Sequence, residues 1–163
     1  MPSQKKIDLK DEYSQLLKEN PDFILTRYQG LSVAKLSELR KELHKSNSPF
    51  RVVKNNIFKL AIGDREDLKD FPSDNELTGP IGVAFIREEV PAVAKVLKKF
   101  SQENDAFKLL SGVMESTYYN EAGIKSLAEM PTRDEALTMI ASMMNQVMSS
   151  LARGIKAIGE KNG

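Results

Sequence analysis

The sequence predicts an α/β protein, with a small mixed sheet covered by helices and followed by a long protruding C-terminal α-helix. Two observations predict this class. Before Pro131, short β-rich runs alternate with helical apolar spacing, which is typical of a sheet covered by helices. After Pro131 no proline occurs, and the helical spacing continues to about Lys161. We therefore divide the chain into an α/β body, residues 1–130, and a C-terminal helix, residues 131–163.

The elements of the body follow from apolar spacing and from residues that favour turns. Residues 63–80 are polar, acidic and interrupted by Pro72 and Gly79, so we predict mostly loop there. We assign Gly30 and Gly79 to turn geometry. In chain order we predict helices over 8–20, from Ser32 through Leu43, over 55–62, from about Pro91 through Phe100 and over 121–129, with strands over 23–28, 50–54, 81–86 and 107–114.

The net charge of +1 conceals an uneven distribution along the chain. Residues 1–60 contain twelve Lys and Arg against seven Asp and Glu, whereas residues 61–130 contain eight against thirteen. A basic first third is the electrostatic pattern of a nucleic-acid binder, although many basic helices are merely solvated. There is no apolar run of membrane-spanning length and no apolar signal-peptide core, so we expect a cytoplasmic protein without a membrane partner.

Residues suited to catalysis or metal binding are scarce. The chain has no cysteine and one histidine, His44, which lies between Leu43 and Lys45 in a charged helix and is expected at the surface. No phosphate-binding glycine loop is present, and Gly79-Pro80-Ile81-Gly82 has the wrong spacing for a dinucleotide turn. We therefore expect neither an enzyme, nor a metal site, nor a cofactor.

Basic and amide side chains between Leu36 and Lys59 are the candidate RNA-binding residues. Such groups suit backbone and 2′-hydroxyl contacts in folded RNA, and a strand end that leads into a helix offers free backbone N–H groups to phosphates. A solubilising surface with an asparagine cap explains the same residues equally well. Strand alternation predicts that Arg51 and Lys54 point to opposite faces. The candidates are Arg40, Lys41, Lys45, Arg51, Lys54, Asn55, Asn56 and Lys59.

The C-terminal helix opens with Thr132 and Glu135 in the spacing of a capping box. Seven of its apolar residues, spaced by three and four, fall within an arc of roughly 80° at 100° per residue, which suits packing against another helix. A 30-residue helix would be about 45 Å long, so its far end is expected to project beyond the body. From the residues alone, a partner helix, self-association and core packing all stay open. We call these seven residues the apolar seam: Leu137, Ile140, Met144, Val147, Leu151, Ile155 and Ile158.

Six segments, taken in order, carry a resemblance to a known family. They are Tyr28-Gln29-Gly30-Leu31-Ser32-Val33, Leu36-Ser37-Glu38-Leu39-Arg40-Lys41-Glu42-Leu43, Phe50-Arg51-Val52-Val53-Lys54-Asn55-Asn56, Gly79-Pro80-Ile81-Gly82-Val83-Ala84-Phe85, Leu127-Ala128-Glu129-Met130-Pro131-Thr132-Arg133-Asp134-Glu135 and Leu151-Ala152-Arg153-Gly154-Ile155-Lys156-Ala157-Ile158. Over essentially the whole chain they resemble the bacterial large-subunit ribosomal protein L-ten family. The chain differs at Gln29, where the family commonly has arginine, and at Asn56, where it often has threonine.

This resemblance implies a stalk-base protein of the large ribosomal subunit. Its body would bind large-subunit ribosomal RNA beside a neighbouring ribosomal protein. Its C-terminal helix would carry dimers of the acidic stalk protein (L-seven/L-twelve), two rather than three, and that stalk recruits translational GTPases. Family members can also bind their own messenger leader to regulate synthesis. The alternative is a soluble α/β domain whose C-terminal helix self-associates.

Overall fold

The body is built on a five-stranded sheet with helices on both faces. The computed structural model describes residues 3–68, 71 and 77–163. In chain order these residues form α1 (Gln4–Glu19), β1 (Phe23–Arg27), α2 (Val33–Lys45), β2 (Phe50–Val53), α3 (Asn55–Gly63), a 3-10 turn (Glu66–Leu68), β3 (Ile81–Phe85), α4 (Val90–Glu103), β4 (Lys108–Met114), β5 (Thr117–Asn120), α5 (Glu121–Glu129) and α6 (Arg133–Asn162).

The strands lie in the order β2-β3-β1-β4-β5. The predicted α/β class, the helix-covered sheet and the long C-terminal helix are confirmed. The strand pairs of the described sheet are all antiparallel, however, and not a mixture of parallel and antiparallel pairs. The reason is that the connections through α2 and α4 each skip one strand position, whereas the connection through α3 joins the neighbouring strands β2 and β3. Strands β1 and β2 run in the same direction with β3 between them, and β3 and β4 do so with β1 between them.

Alternation along the strands creates one core on each face of the sheet. Phe23 and Leu25 of β1 point into a cluster that includes Phe58 of α3 and residues of α1. Ile24, between them, points into the opposite cluster, which includes Leu97 of α4 and residues of α2 and α5. Helices α1 and α3 therefore cover one face, and α2, α4 and α5 cover the other.

The observed elements differ most from the predicted ones in two places. Helix α1 begins at Gln4 instead of residue 8, and β5 has no counterpart in the prediction. The turn before β5 is formed by Glu115 and Ser116, which have φ values of 50° and 60°. Glycine and asparagine are the usual residues in that conformation, so the sequence carries no hairpin signal there. Of the predicted loop at 63–80, residues 69–70 and 72–76 lie outside the described residues.

The C-terminal unit consists mainly of α6. Residue contacts divide the chain into two compact units, Met1–Met130 and Pro131–Gly163. The predicted capping box is present, because Thr132 Oγ1 accepts a hydrogen bond from the backbone N–H of Glu135, whose carboxylate accepts one from the backbone N–H of Thr132 at 3.0 Å. In the part of the chain that the structure describes, none of the 30 residues of α6 is buried.

Candidate RNA-binding and partner-binding surfaces

The sheet separates the candidate RNA-binding residues into two groups. Arg40, Lys41 and Lys45 lie on α2, which covers one face through Leu39 and Leu43. The remaining candidates lie on β2 and α3, and α3 covers the other face. This second group consists of Arg51, Lys54, Asn55, Asn56 and Lys59. The eight residues are close in sequence but are divided between α2 and the pair of elements β2 and α3.

A groove of about 600 Å³ lies between α1 and the start of α3. Its polar lining residues come from α1 and from three of the RNA-binding candidates, Lys54, Asn55 and Asn56. Its apolar lining residues are aliphatic side chains from α1 and α3. Among the described residues that line it, three are lysines and one, Asp11, is acidic, so the groove is cationic. The lining residues are Lys6, Ile7, Lys10 and Asp11 of α1, with Lys54, Asn55, Asn56, Ile57 and Leu60 at α3.

Arg51 and Lys45 are both held by carboxylates. Arg51 Nη1 lies 2.8 Å from Glu12 Oε1, and Lys45 Nζ lies 2.6 Å from Glu42 Oε1. The hydrogen bond from Lys45, reinforced by its charge, holds the pKa of the Glu42 carboxyl below its ordinary value. A phosphate that binds either cation has to compete with a carboxylate already in place.

Lys54 has a different environment from Arg51, although both lie near α1. The alternation that predicted opposite faces does not apply, because β2 ends at Val53 and Lys54 is the N-cap of α3. Arg51 pairs with α1, and Lys54 lines the groove with Lys6 of α1. Within the described residues, neither Lys6 nor Lys54 forms an ion pair, and both are exposed. The third lysine of the groove, Lys10, lies 2.8 Å from Asp64.

The two asparagines at the start of α3 have different contacts. Asn55 Nδ2 donates a hydrogen bond to the carbonyl of Leu77 at 3.1 Å, and Asn55 Oδ1 accepts one from the backbone N–H of Asn56 at 2.8 Å. The Asn55 amide therefore ties the start of α3 to the segment before β3. The side chain of Asn56 is exposed in the groove, and Lys59 is half-buried on α3.

The apolar seam is exposed along the whole of α6. Its seven residues retain between 55% and 68% of their full accessible surface. Met143 and Met148, which flank the seam, are also exposed. A stripe of large apolar side chains of this length marks an interaction surface, because monomeric proteins rarely leave such a patch in water. The methionines add flexible side chains that adapt to the shape of a partner.

Sequence reasoning missed six residues of the groove, which are Lys6, Ile7, Lys10, Asp11, Ile57 and Leu60. Predicting the start of α1 at residue 8 left Lys6 and Ile7 outside any element. One signal was available, since Lys6 and Lys10 are four residues apart and so share a helix face. Nothing in the sequence indicates that this face lies opposite α3.

The described residues show few features of metal-binding, membrane-spanning or catalytic proteins. Among the residues that the structure describes, no group of three or more His, Asp and Glu side chains is placed to hold a metal ion. None of the described helices combines the length and the apolar character needed to cross a membrane. His44 is exposed on α2, as predicted.

Comparison with known proteins decides the family. A family model described as ribosomal protein L10 matches residues 1–102, and one described as ribosomal protein uL10 C-terminal region matches residues 130–162. The chain belongs to the ribosomal protein L10 family. This confirms the resemblance to the L-ten family that the six sequence segments carry. Strands β4 and β5 and the whole of α5 fall between the two matched ranges, although β4 pairs with the central β1 of the L10 body.

Relatives of the L10 family align with nearly the whole chain. Each of the following is described as large ribosomal subunit protein uL10. The chain is 37% identical to that of Bacillus licheniformis over 153 residues, which cover 93% of this chain and 89% of the relative. It is 33% identical to that of Macrococcus caseolyticus, with 99% and 94% covered, and 35% identical to that of Leptospira biflexa, with 100% and 99% covered.

Proposed function

We propose that this protein is the stalk-base component of the large ribosomal subunit in the cytoplasm. Its body binds large-subunit ribosomal RNA beside a neighbouring ribosomal protein, and α6 holds dimers of the acidic stalk protein that recruits translational GTPases. The protein acts as a scaffold with two separable binding regions and performs no catalysis. The proposal is supported by membership of the L10 family, whose two models match both the body and α6.

The observation that carries the stalk part of the proposal is the exposed apolar seam of α6. A helix of 30 residues is about 45 Å long, which leaves room for two dimers side by side. Each dimer would bury part of the seam, and burial contributes about 25 cal/mol per Å² of apolar surface. Binding of this kind depends little on ionic strength, because it does not rest on charge.

The RNA part of the proposal rests on the cationic groove between α1 and α3. Lys6 and Lys54 are exposed there without carboxylate partners among the described residues, so they can neutralise phosphates without first breaking an ion pair. Affinity then falls steeply with salt, because each neutralised phosphate releases counterions. A messenger leader that presented a similar RNA surface would compete for the same groove, which is how the protein would regulate its own synthesis.

The test of the stalk part is a native mass measurement of the full chain mixed with the acidic stalk protein. We expect the mass to increase by an even number of stalk-protein copies, four if two dimers bind. Leu151→Asp places a charge in the apolar seam and is expected to remove at least one dimer. Ser149→Asp is the matched control, because Ser149 lies on the opposite side of α6 and is also exposed to solvent.

An outcome in which both variants keep the full number of copies would show that the seam does not hold the stalk protein. The rival function, self-association of α6, is favoured by the three-and-four spacing of the same seam. It predicts that the mass of the isolated chain rises with concentration and that Leu151→Asp abolishes the rise.

A further inference from the structure

The groove between α1 and α3 combines two kinds of surface that RNA uses in different ways. Lys6 of α1 and Lys54 at the start of α3 provide positive charge. Ile7 and Leu60 are aliphatic side chains that remain 47% and 60% exposed, although both line a concavity of about 600 Å³. The volume lies within the range of pockets that enclose a small ligand, roughly 300–1,000 Å³.

We propose that this groove receives one unpaired nucleotide of the ribosomal RNA. Its flanking phosphates lie against Lys6 and Lys54, and its sugar and base lie against Ile7 and Leu60. The inference rests on the proposed function and adds to it a pocket for a single nucleotide. One side of this pocket is formed by α1, which carries none of the residues that the sequence suggested for RNA binding.

The aliphatic lining is the reason for choosing an unpaired nucleotide over a duplex. The outer surface of a duplex presents phosphates and sugars, and phosphates pressed against Ile7 and Leu60 would lose water without gaining a partner. A base that has left its stack presents an apolar face, which these side chains can cover. Proteins commonly recognise RNA in this way, at loops and bulges whose bases are splayed out.

The charge of the groove is the reason for choosing RNA over a protein segment. Its lining contains three lysines and one carboxylate within the described residues. Lys10 is held by Asp64, so Lys6 and Lys54 supply the positive charge that faces the groove without an ion-pair partner of their own in the described chain. Two cations and exposed aliphatic side chains in the same groove suit a single strand, which presents both phosphates and unstacked bases.

The first test compares lysines that are adjacent on α1. In the full chain, Lys6→Gln removes a charge from the groove, whereas Lys5→Gln removes one from a neighbouring exposed position that does not line it. Binding to protein-free large-subunit ribosomal RNA is measured as a function of salt. We expect Lys6→Gln to reduce the slope of log K against log salt by about 0.7 and to weaken binding about 5-fold near 0.1 M salt. We expect Lys5→Gln to change both much less.

The second test concerns the aliphatic floor. Leu60→Ala shortens an exposed side chain of the groove, and Val33→Ala shortens an exposed one on α2, on the other face of the sheet. We expect Leu60→Ala to weaken binding roughly 3- to 10-fold without a change of salt slope, since no charge is lost. Because both side chains are exposed, both variants are expected to keep the wild-type circular dichroism spectrum.

Chemical probing of the same RNA then locates the nucleotide. The RNA is probed with the wild-type protein and with each variant. The reagents are chosen so that together they react with unpaired A, C, G and U. We expect a base that the wild type protects to regain reactivity with Leu60→Ala and to stay protected with Val33→Ala. If no base regains reactivity, or if Lys6→Gln behaves as Lys5→Gln does, the groove does not hold a nucleotide. In that case we would assign the groove to binding of a neighbouring protein and not of RNA.

Failure of the inference and failure of the proposed function can be told apart. If the wild-type chain does not bind the RNA at all, the proposed RNA-binding function is wrong. If the wild type binds and all four variants bind equally well with equal salt slopes, only the nucleotide site in the groove is refuted.

Discussion

Glu12 on α1 holds Arg51 on β2, with 2.8 Å between the Glu12 Oε1 and Arg51 Nη1 atoms. Both side chains keep about half of their accessible surface, 48% for Glu12 and 52% for Arg51. An ion pair exposed to this extent contributes only about 0–1 kcal/mol to stability. The carboxylate therefore neutralises a candidate RNA-binding residue in the free protein, and a phosphate can replace it at small cost.

Replacing Glu12 by glutamine is expected to strengthen RNA binding. The change frees Arg51, and we expect affinity for large-subunit ribosomal RNA to rise roughly 3- to 10-fold and the salt slope to increase by up to about 0.9. Unfolding by urea should show a loss of at most about 1 kcal/mol. Glu19→Gln, also on α1, controls for the removal of one negative charge. Equal gains from both variants would mean that Arg51 takes no specific part.

The two asparagines at the start of α3 are expected to respond differently to alanine. Asn55→Ala removes the hydrogen bond to the Leu77 carbonyl, so we expect the free energy of unfolding to fall by about 1 kcal/mol. Asn56→Ala changes an exposed side chain and is expected to alter stability by less than about 0.5 kcal/mol while weakening RNA binding. Urea denaturation and RNA binding measured on the same samples separate the two effects. A stable Asn55→Ala variant would contradict the structural role.

Gly82 of β3 has no room for a side chain. A Cβ atom built at this position would lie 2.2 Å from Cζ of Phe50 on the neighbouring strand β2. We expect Gly82→Ala to lower the free energy of unfolding by about 1–3 kcal/mol, because the Phe50 ring has to move within a packed core. Gly63→Ala, where nothing lies within 4 Å, is expected to leave stability unchanged or slightly higher. Adding Phe50→Leu to Gly82→Ala should recover part of the loss.

The capping box at the start of α6 predicts local fraying when it is removed. Thr132→Ala deletes the side chain that accepts from the Glu135 N–H, at a cost of about 1 kcal/mol to the first turn. Hydrogen exchange of the backbone amides of Glu135 and Ala136, which donate to Thr132, is expected to accelerate about 5-fold. Thr138→Ala, inside the same helix, is the control and should leave those amides unchanged. Similar acceleration in both variants would show that helix propensity, and not the cap, determines the exchange.

Apolar periodicity predicted the helices well where the pattern was long or clearly bounded. Helix α5 occupies the predicted residues 121–129, and α6 begins and ends within two residues of its predicted bounds. The signals in α6 are its capping box and the spacing of its apolar residues by three and four. Both are local, because they act within one helix. Strand β5 was missed because the turn before it is formed by Glu115 and Ser116 with positive φ. Glutamate and serine rarely adopt this conformation, so their presence does not indicate a hairpin turn.

The candidate RNA site was only partly predictable, because it is tertiary. The sequence identified Lys54 and Asn56, but not that Lys6 faces them across a groove. It also grouped Arg40 with Arg51, but Arg40 lies on α2, which covers one face of the sheet, and Arg51 pairs with α1, which covers the other. Sequence distance says nothing about a sheet that lies between two residues. Pairing with carboxylates, as in Arg51 with Glu12, is equally invisible before folding.

The lack of buried residues in α6, within the described chain, has a thermodynamic consequence. The strands of the body are held by two packed cores, whereas neither core contains a residue of α6. A helix without a packed core melts gradually, because its helix content depends on its length and on temperature. Heating the unliganded protein should therefore give a sloping loss of helical signal superimposed on one sharp transition of the body. Occupation of the apolar seam would link the helix to a folded partner, so the melting temperature of α6 becomes a property of the complex and depends on partner concentration.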